Sequence, residues 1–324
     1  MANRSLLSIL SLSEIRRDAQ RFSYYAQGVR TLMTPRGLLA RRHRARLEAL
    51  KAHPQRDEIE RRVAYYLKGT EPFEQPQMRL GDLPLKKSRY YIDFTRYARG
   101  LPTDARFDLI FGDVTHIPDR PTLVKSRPIH GENANSILFP LNILRHYYDY
   151  PDPYSYAEKQ DGAVWRGNMN NPQRRALVQR HNAAPHHDIG VIKANEQGLE
   201  PKPYLSPEDQ LKYKFILSIE GVDVATNLKW TMASNSLVLS PPLKFETWYR
   251  EGQLVPGVHF VELKPDFSDL DEKCAYYSQN PEAALKIITA AQAWRNSFRD
   301  QEVEALTATC LLDRYLGLSG QNFA

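Results

Sequence analysis

Cysteine is nearly missing from this chain of 324 residues, where only Cys274 and Cys310 occur. Two thiols cannot build a disulfide framework, so a cross-linked secreted domain is excluded and reduced, buried thiols are expected. Long apolar runs are missing as well, and no stretch approaches a membrane-spanning length. Near the amino terminus, Leu6 to Leu12 is a short apolar stretch interrupted by serines. Glu14, Arg16 and Arg17 follow it where a secretory signal would carry its cleavage site. A cytoplasmic setting is therefore expected. The chain also has no phosphate-loop lysine motif, no GxSxG elbow and no paired CxxC. His186-His187-Asp188 has metal-ligand residue types, but neighbouring histidines point apart on a strand and no second pair stands at zinc spacing, so a loop is expected there. Asp269-Leu270-Asp271 looks like a metal-binding pair, yet Ser268 before it and Glu272 after it stand at helix-start spacing, which predicts a cap.

Hydrophobic residues make up 42% of the chain, enough for two cores, and its length exceeds what one core usually serves. Charge is uneven. Residues 1–70 hold 15 Lys and Arg against 6 Asp and Glu, a net of +9, whereas the whole chain totals +6 and the remainder is therefore −3. In this segment Leu38, Leu39, Leu47, Leu50, Ile59, Val63 and Leu67 are threaded among arginines at helical spacing. Basic helices of this kind suit an anionic lipid surface, and a solvated face supporting the first domain is the other reading. No zinc, helix-turn-helix or RNA-binding fingerprint accompanies the charge, so nucleic acid is not expected as a partner.

The most informative stretch is residues 212–264. Tyr213, Phe215, Ile216, Leu217 and Ile219 form an apolar run suited to a central parallel strand covered on both faces. Gly221 then permits a turn, and Asp223, Thr226 and Asn227 are residue types that cap a helix, whose apolar period begins with Leu228, Trp230 and Met232. A strand's carboxyl end meeting a helix amino terminus favours an anion such as a diphosphate, with Lys229 adding charge. Ser236–Ser240 reads as the next strand, Phe245–Tyr249 as the opening of a short helix, and Val258–Leu263 as a third strand. Glu246 suits a sugar or ribose hydroxyl pair, or else a solvated first helical turn. Upstream, Val164-Trp165-Arg166-Gly167 ends a strand on an arginine and a glycine, letting a guanidinium and a backbone approach phosphate together. Phe107–Phe111 reads as a strand ending at Gly112-Asp113, followed by a turn with Asp119 and a strand at Thr122–Val124.

In Val164 to Gly167, Lys212 to Lys214, Gly221 to Lys229, Ser236 to Val238, Phe245-Glu246, Val258 to Val261 and Asp269-Leu270, the chain resembles glycosyltransferase family 90. The resemblance runs from about Phe107 to about Trp294, and the wording from Glu220 to Trp230 is similar to the bacterial branch associated with lipopolysaccharide or capsule synthesis. It implies an α/β protein of the GT-B type, two Rossmann-like domains facing a central cleft, with terminal helices that cross back. The domains expected are a basic helical segment at residues 1–70, an acceptor domain at 71–155, a donor domain at 156–280 and carboxyl-terminal helices at 281–324.

The resemblance also implies inverting transfer from a UDP-sugar to a lipopolysaccharide core or related glycan, without metal or other cofactor. Such transfer needs a carboxylate base. Asp113 is the position that matches the family's aspartate, and Asp119 is the alternative. Arg166, Gly167, Gly221, Ala225, Thr226, Asn227, Lys229 and Glu246 are the expected donor residues. Lys125, Arg127 and His130 are expected at the acceptor, with surface solvation as their other reading. Two departures stand out. Animal members carry an arginine where this chain has Asn227, and a second basic residue where it has Asn168, Met169 and Asn170. The loss of those cations motivates a competing class, a noncatalytic nucleotide- or sugar-binding protein of the same fold.

Overall fold

The computed structural model of the chain describes residues 12–146, 150–193 and 198–323. The stretch from Leu6 to Ser11 and the tyrosines Tyr147 and Tyr148 lie outside the described residues. The chain is α/β, with two parallel sheets and helices around them. It opens on helices Leu12–Met33, Arg36–Lys51 and Arg56–Tyr66, the last two spaced as the leucine pattern predicts. Leu50, Ile59, Val63 and Leu67 turn inward, while Leu38 stays exposed.

Three short strands, Leu109–Ile110, Thr122–Val124 and Ser136–Leu138, form the smaller parallel sheet, with Thr122–Val124 in the middle. The strand expected over Phe107–Phe111 is split in two. Arg106–Phe107 pairs antiparallel with Met78–Arg79, and Leu109–Ile110 alone joins the parallel sheet. The cause is local: the N–H of Asp108 is diverted to the Tyr315 hydroxyl at 3.0 Å. Tyr315 belongs to the last helix, Gln301–Leu318, which returns to the core of the first sheet and buries Val303, Leu311, Leu312 and Tyr315 there.

The larger sheet has five parallel strands in the order Val261–Glu262, Leu237–Ser240, Tyr213–Leu217, Gln160–Gly167 and Asp188–Val191. Tyr213–Leu217 is the central strand its composition predicts. Phe215 and Leu217 pack in one apolar cluster with Leu177 and Ile288, and Ile216 packs in another with Val164 and Leu211, so both faces are covered.

One expected helix is a strand. Phe245–Thr247 runs antiparallel to Ser126–Pro128, with Glu246 opposite Arg127. The Glu220 carboxylate holds it extended by accepting the N–H groups of Lys244 and Phe245, each at 2.9 Å. This two-stranded ladder ties the two halves of the molecule together beside the carboxyl ends of both parallel sheets. No described helix is long and apolar enough to cross a membrane.

Candidate active site

Ligands of open α/β sheets bind outside the carboxyl ends of the strands, where loops leave the sheet and helices begin. In this chain those edges meet. The smaller sheet delivers Asp113, Lys125 and the short helix Ile143–His146; the larger delivers Arg174, Gly221 and Asp223.

Asp113 follows Gly112, whose φ of +146° lies in the region that side chains avoid. A side chain at that position would need a different backbone. Oδ1 of Asp113 is held by Lys125 Nζ at 2.5 Å and by the Tyr90 hydroxyl at 3.3 Å. Oδ2 has no partner among the described residues, and the side chain remains 32% exposed. Burial pushes the Asp113 carboxyl up, but the hydrogen bond and charge of Lys125 outweigh it and hold the group below the usual carboxylate range. It is an ionised group with one anchored and one free oxygen. Asp119 sits on the other edge of the same sheet, exposed before the amino end of Thr122–Val124. At that edge Arg120 pairs with Asp108 at 2.8 Å.

Lys125, expected at the acceptor, is buried beneath Asp113 and bridges it to Asp223, also at 2.5 Å. Asp223 is not a helix cap. It lies buried and accepts the Ser126 hydroxyl at 2.6 Å, which locks the loop after the central strand to the smaller sheet. The helix after that loop spans only Leu228–Met232 and has no side-chain cap, so its dipole is weaker than a full helix would supply. Thr226 is half-buried and Ala225 buried in this loop. Asn227 turns back to donate to Leu217 O at 2.9 Å.

Two further expected donor groups, Lys229 and Glu246, and a second acceptor group, Arg127, are also interior. Lys229 is buried against Glu251 and the face of Tyr249. Arg127 and Glu246 face each other at 2.8 Å with side-chain exposures of 0% and 1%. Three of the four remaining guanidinium hydrogens of Arg127 go to the carbonyls of Tyr65, Tyr66 and Ser136. His130 lies exposed beyond Pro128.

Arg166 is also engaged. Its guanidinium runs back along the sheet to Asp188 Oδ1 at 2.6 Å, Asp188 O at 2.7 Å and Pro203 O at 3.0 Å. Gly167 makes room for an indole: a Cβ there would lie 2.5 Å from the Trp165 ring. The cation at this edge is instead Arg174, in the first turn of helix Pro172–His181, which Asn171 caps. Arg174 stacks on Trp165 and donates to the carbonyls of Asn168, Ile219 and Glu220 and to Asn170 Oδ1, but pairs with no carboxylate among the described residues. Burial and the like charge of Arg145 push it down to about 10, so it remains cationic at neutral pH. A Cβ at Gly221 would lie 3.2 Å from Arg174 Nη2, so a larger residue there would press on the guanidinium. Arg174 was readable as the residue two places after Pro172 in a helix that directly follows a strand's carboxyl end. Arg145 and Tyr90 carried no comparable signal.

His186 and His187 lie in the loop before Asp188–Val191, as expected, and both rings face Asp271, at 2.6 and 3.0 Å. With His181, the donor atoms of His187 and Asp271 lie within 4.8 Å of one another. Hydrogen bonds engage His181 Nε2, with Phe267 O at 2.9 Å, and Asp271 Oδ1, with His186 at 2.6 Å, whereas the buried His187 Nε2 has none among the described residues. His187 Nδ1 accepts the Ala163 N–H at 3.0 Å, which places the proton of the neutral ring on the nitrogen facing Asp271, and a protonated nitrogen cannot ligate a metal. Asp269 does not cap its helix either; its carboxylate accepts the Lys264 N–H at 3.0 Å.

With that geometry in place, similarity to known proteins is decisive. The model of the family described as Glycosyl transferase family 90 matches residues 146–318. The chain belongs to this family. It is 40% identical to the O-glucosyltransferase LpsA of Dichelobacter nodosus, across 93% of this chain and 97% of that protein. More distantly it is 29% identical to protein O-glucosyltransferase 2 of Danio rerio, over 42% of this chain and 29% of that one. Protein O-glucosyltransferase 3 of Homo sapiens is 30% identical over 43% and 28% of the respective lengths. The family-90 chain described here is accordingly a glycosyltransferase.

Proposed function

We propose that this protein is an inverting, metal-independent transferase of the GT-B type that moves a sugar from a UDP-sugar to a hydroxyl of a bacterial lipopolysaccharide core or related surface glycan, working at the cytoplasmic face of the membrane. The observation that carries the reading is the meeting of two carboxyl edges, one presenting the free oxygen of Asp113 and the other the uncompensated Arg174.

Asp113 Oδ2 takes the acceptor's hydroxyl proton as that oxygen attacks the anomeric carbon and the bond to the diphosphate breaks on the opposite face. Lys125 and Tyr90 hold the carboxylate in place through its other oxygen. Arg174, reinforced by Arg145, meets the charge that develops on the leaving UDP. Chain cations thus supply the charge stabilisation, and the proposal requires no metal. The related LpsA is named for glucosyl transfer, which makes UDP-glucose the first donor to test.

The test is calorimetric titration with UDP and UDP-sugars, followed by measurement of UDP release with deacylated core oligosaccharides. Turnover with one donor–acceptor pair supports the reading. Tight binding without turnover across acceptors would favour the noncatalytic alternative, for which the missing arginine at Asn227 is the motive.

A further inference from the structure

The first helix, Leu12–Met33, has two apolar sides and only one of them is used. On the packed side Tyr24 donates to Asp93 Oδ1 and Arg89 O, each at 2.9 Å, and Gly28 lies so close to Ile92 that an added Cβ would stand 2.8 Å away. The other side carries Phe22, Val29 and Met33 at spacings of one helical face, exposed at 76%, 53% and 79%. Leu38 of the next helix extends this stripe at 49%. Together they line an open groove of about 850 Å³, and no carboxylate borders it.

Arg30 and Arg42 line that groove and also a second, deeper cavity of about 420 Å³ between the amino-terminal and carboxyl-terminal helices. Arg46, Arg96 and His43 join them on the cavity wall. Arg46 lies over the Tyr97 ring and Arg96 over Tyr24, so aromatic faces, not carboxylates, position both guanidinium groups. Arg30, Arg42, Arg46 and Arg96 form no ion pair among the described residues. His43 is buried at 7% exposure and its Nδ1 has no hydrogen-bond partner. Glu304 also borders the cavity, but it is held by Arg62 at 2.6 Å.

An exposed apolar stripe continuous with a cationic cavity matches the two chemistries of a phospholipid in one leaflet. We propose that this surface seats on an anionic bilayer, with Phe22, Val29, Met33 and Leu38 entering the acyl boundary and the cavity of Arg30, Arg42, Arg46, Arg96 and His43 taking a lipid phosphate. The complementarity of an arginine rim to an anionic headgroup selects this occupant over a second copy of the chain, which would bring its own arginines to the same place. The proposal gives residues to the membrane setting above, lies apart from the transfer site, and does not depend on the donor being a UDP-sugar.

The experiment is co-flotation of the full chain with phosphatidylglycerol–phosphatidylcholine vesicles and with pure phosphatidylcholine vesicles. Binding should favour the anionic vesicles and weaken as salt rises. The double variant Phe22→Ser, Met33→Ser should lower partitioning at least ~10-fold. Arg42→Ala with Arg46→Ala should remove the preference for anionic lipid, while circular dichroism and melting stay close to the parent. Equal binding to both vesicle types would overturn the phosphate assignment. Absence of vesicle binding would overturn the proposal as a whole, whether sedimentation then shows the stripe covered by a second copy or glycerol phosphate alone saturates the cavity.

Discussion

Two sets of charged side chains sit within the same interface, and they differ in what is left over. At the floor, Arg127 with Glu246 and Lys229 with Glu251 are closed pairs, both partners at 1% exposure or less. At the rim, Asp113 has one free oxygen and Arg174 has no carboxylate. The floor closes each charge on an opposite one away from solvent, and its Arg127–Glu246 pair joins the halves. The rim has one lysine shared between two carboxylates and an arginine paired with none among the described residues, so it retains charge for a ligand. Residue type alone does not separate these cases; closure of each charge by an opposite one does.

Breaking the floor should have the largest effect. Arg127→Ala leaves Glu246 buried without its cation, and a loss of ~3–5 kcal/mol in denaturant-unfolding stability is expected. A loss under ~1 kcal/mol would mean that the ladder between Ser126–Pro128 and Phe245–Thr247 is not a structural floor. The rim should respond in turnover instead. Asp113→Asn keeps the contacts of Oδ1 but cannot accept a proton, so kcat should fall by at least ~10²-fold, with UDP affinity near that of the parent. The same substitution at Asp119, on the far edge of the sheet, should leave kcat within ~3-fold.

Lys125→Met sharpens the comparison through pH. Lys125 holds the Asp113 carboxyl low, so the parent's base is ionised, and activity is retained, down to below the usual carboxylate range. Losing the lysine removes the largest lowering influences and leaves burial against the smaller ones of Arg145 and Tyr90, so the group rises. The acidic limb of kcat/KM should therefore move to higher pH, and an unmoved limb would assign it to another group. A smaller effect is expected at Glu220, whose carboxyl burial pushes up to about 7. A raised acid stabilises the fold below its unfolded value and loses that contribution as pH rises through about 7. Glu220→Gln, which can still accept from Lys244 and Phe245, should flatten the fall in melting temperature between about pH 5 and pH 8.

The sequence and the structure agree best where one element is long and apolar on a single period. Tyr213–Leu217, Leu237–Ser240 and the helix Pro281–Asn296 are visible from side-chain spacing alone, because burial on both faces of a central strand or on one face of a helix leaves a local mark. Phe245–Thr247 is not, since its extended form is imposed by Glu220 from the loop after Tyr213–Leu217 and by Arg127 from the other half of the chain. The site divides the same way. Asp113 is legible because a strand and a glycine place it. The fates of Arg166 and Lys229 are decided by Asp188 and Glu251, each 22 residues away, and no local pattern announces those partners.

The central claim is that the donor's diphosphate lies at the rim, against Arg174, and not against Arg166. Isothermal titration of UDP into Arg174→Gln and Arg166→Gln tests it most directly, with melting curves to establish that both variants fold. A weakening of at least ~10-fold in Kd for Arg174→Gln, with Arg166→Gln within ~3-fold of the parent, is the predicted result. The reverse pattern would contradict the account and return the diphosphate to the arginine–glycine strand end.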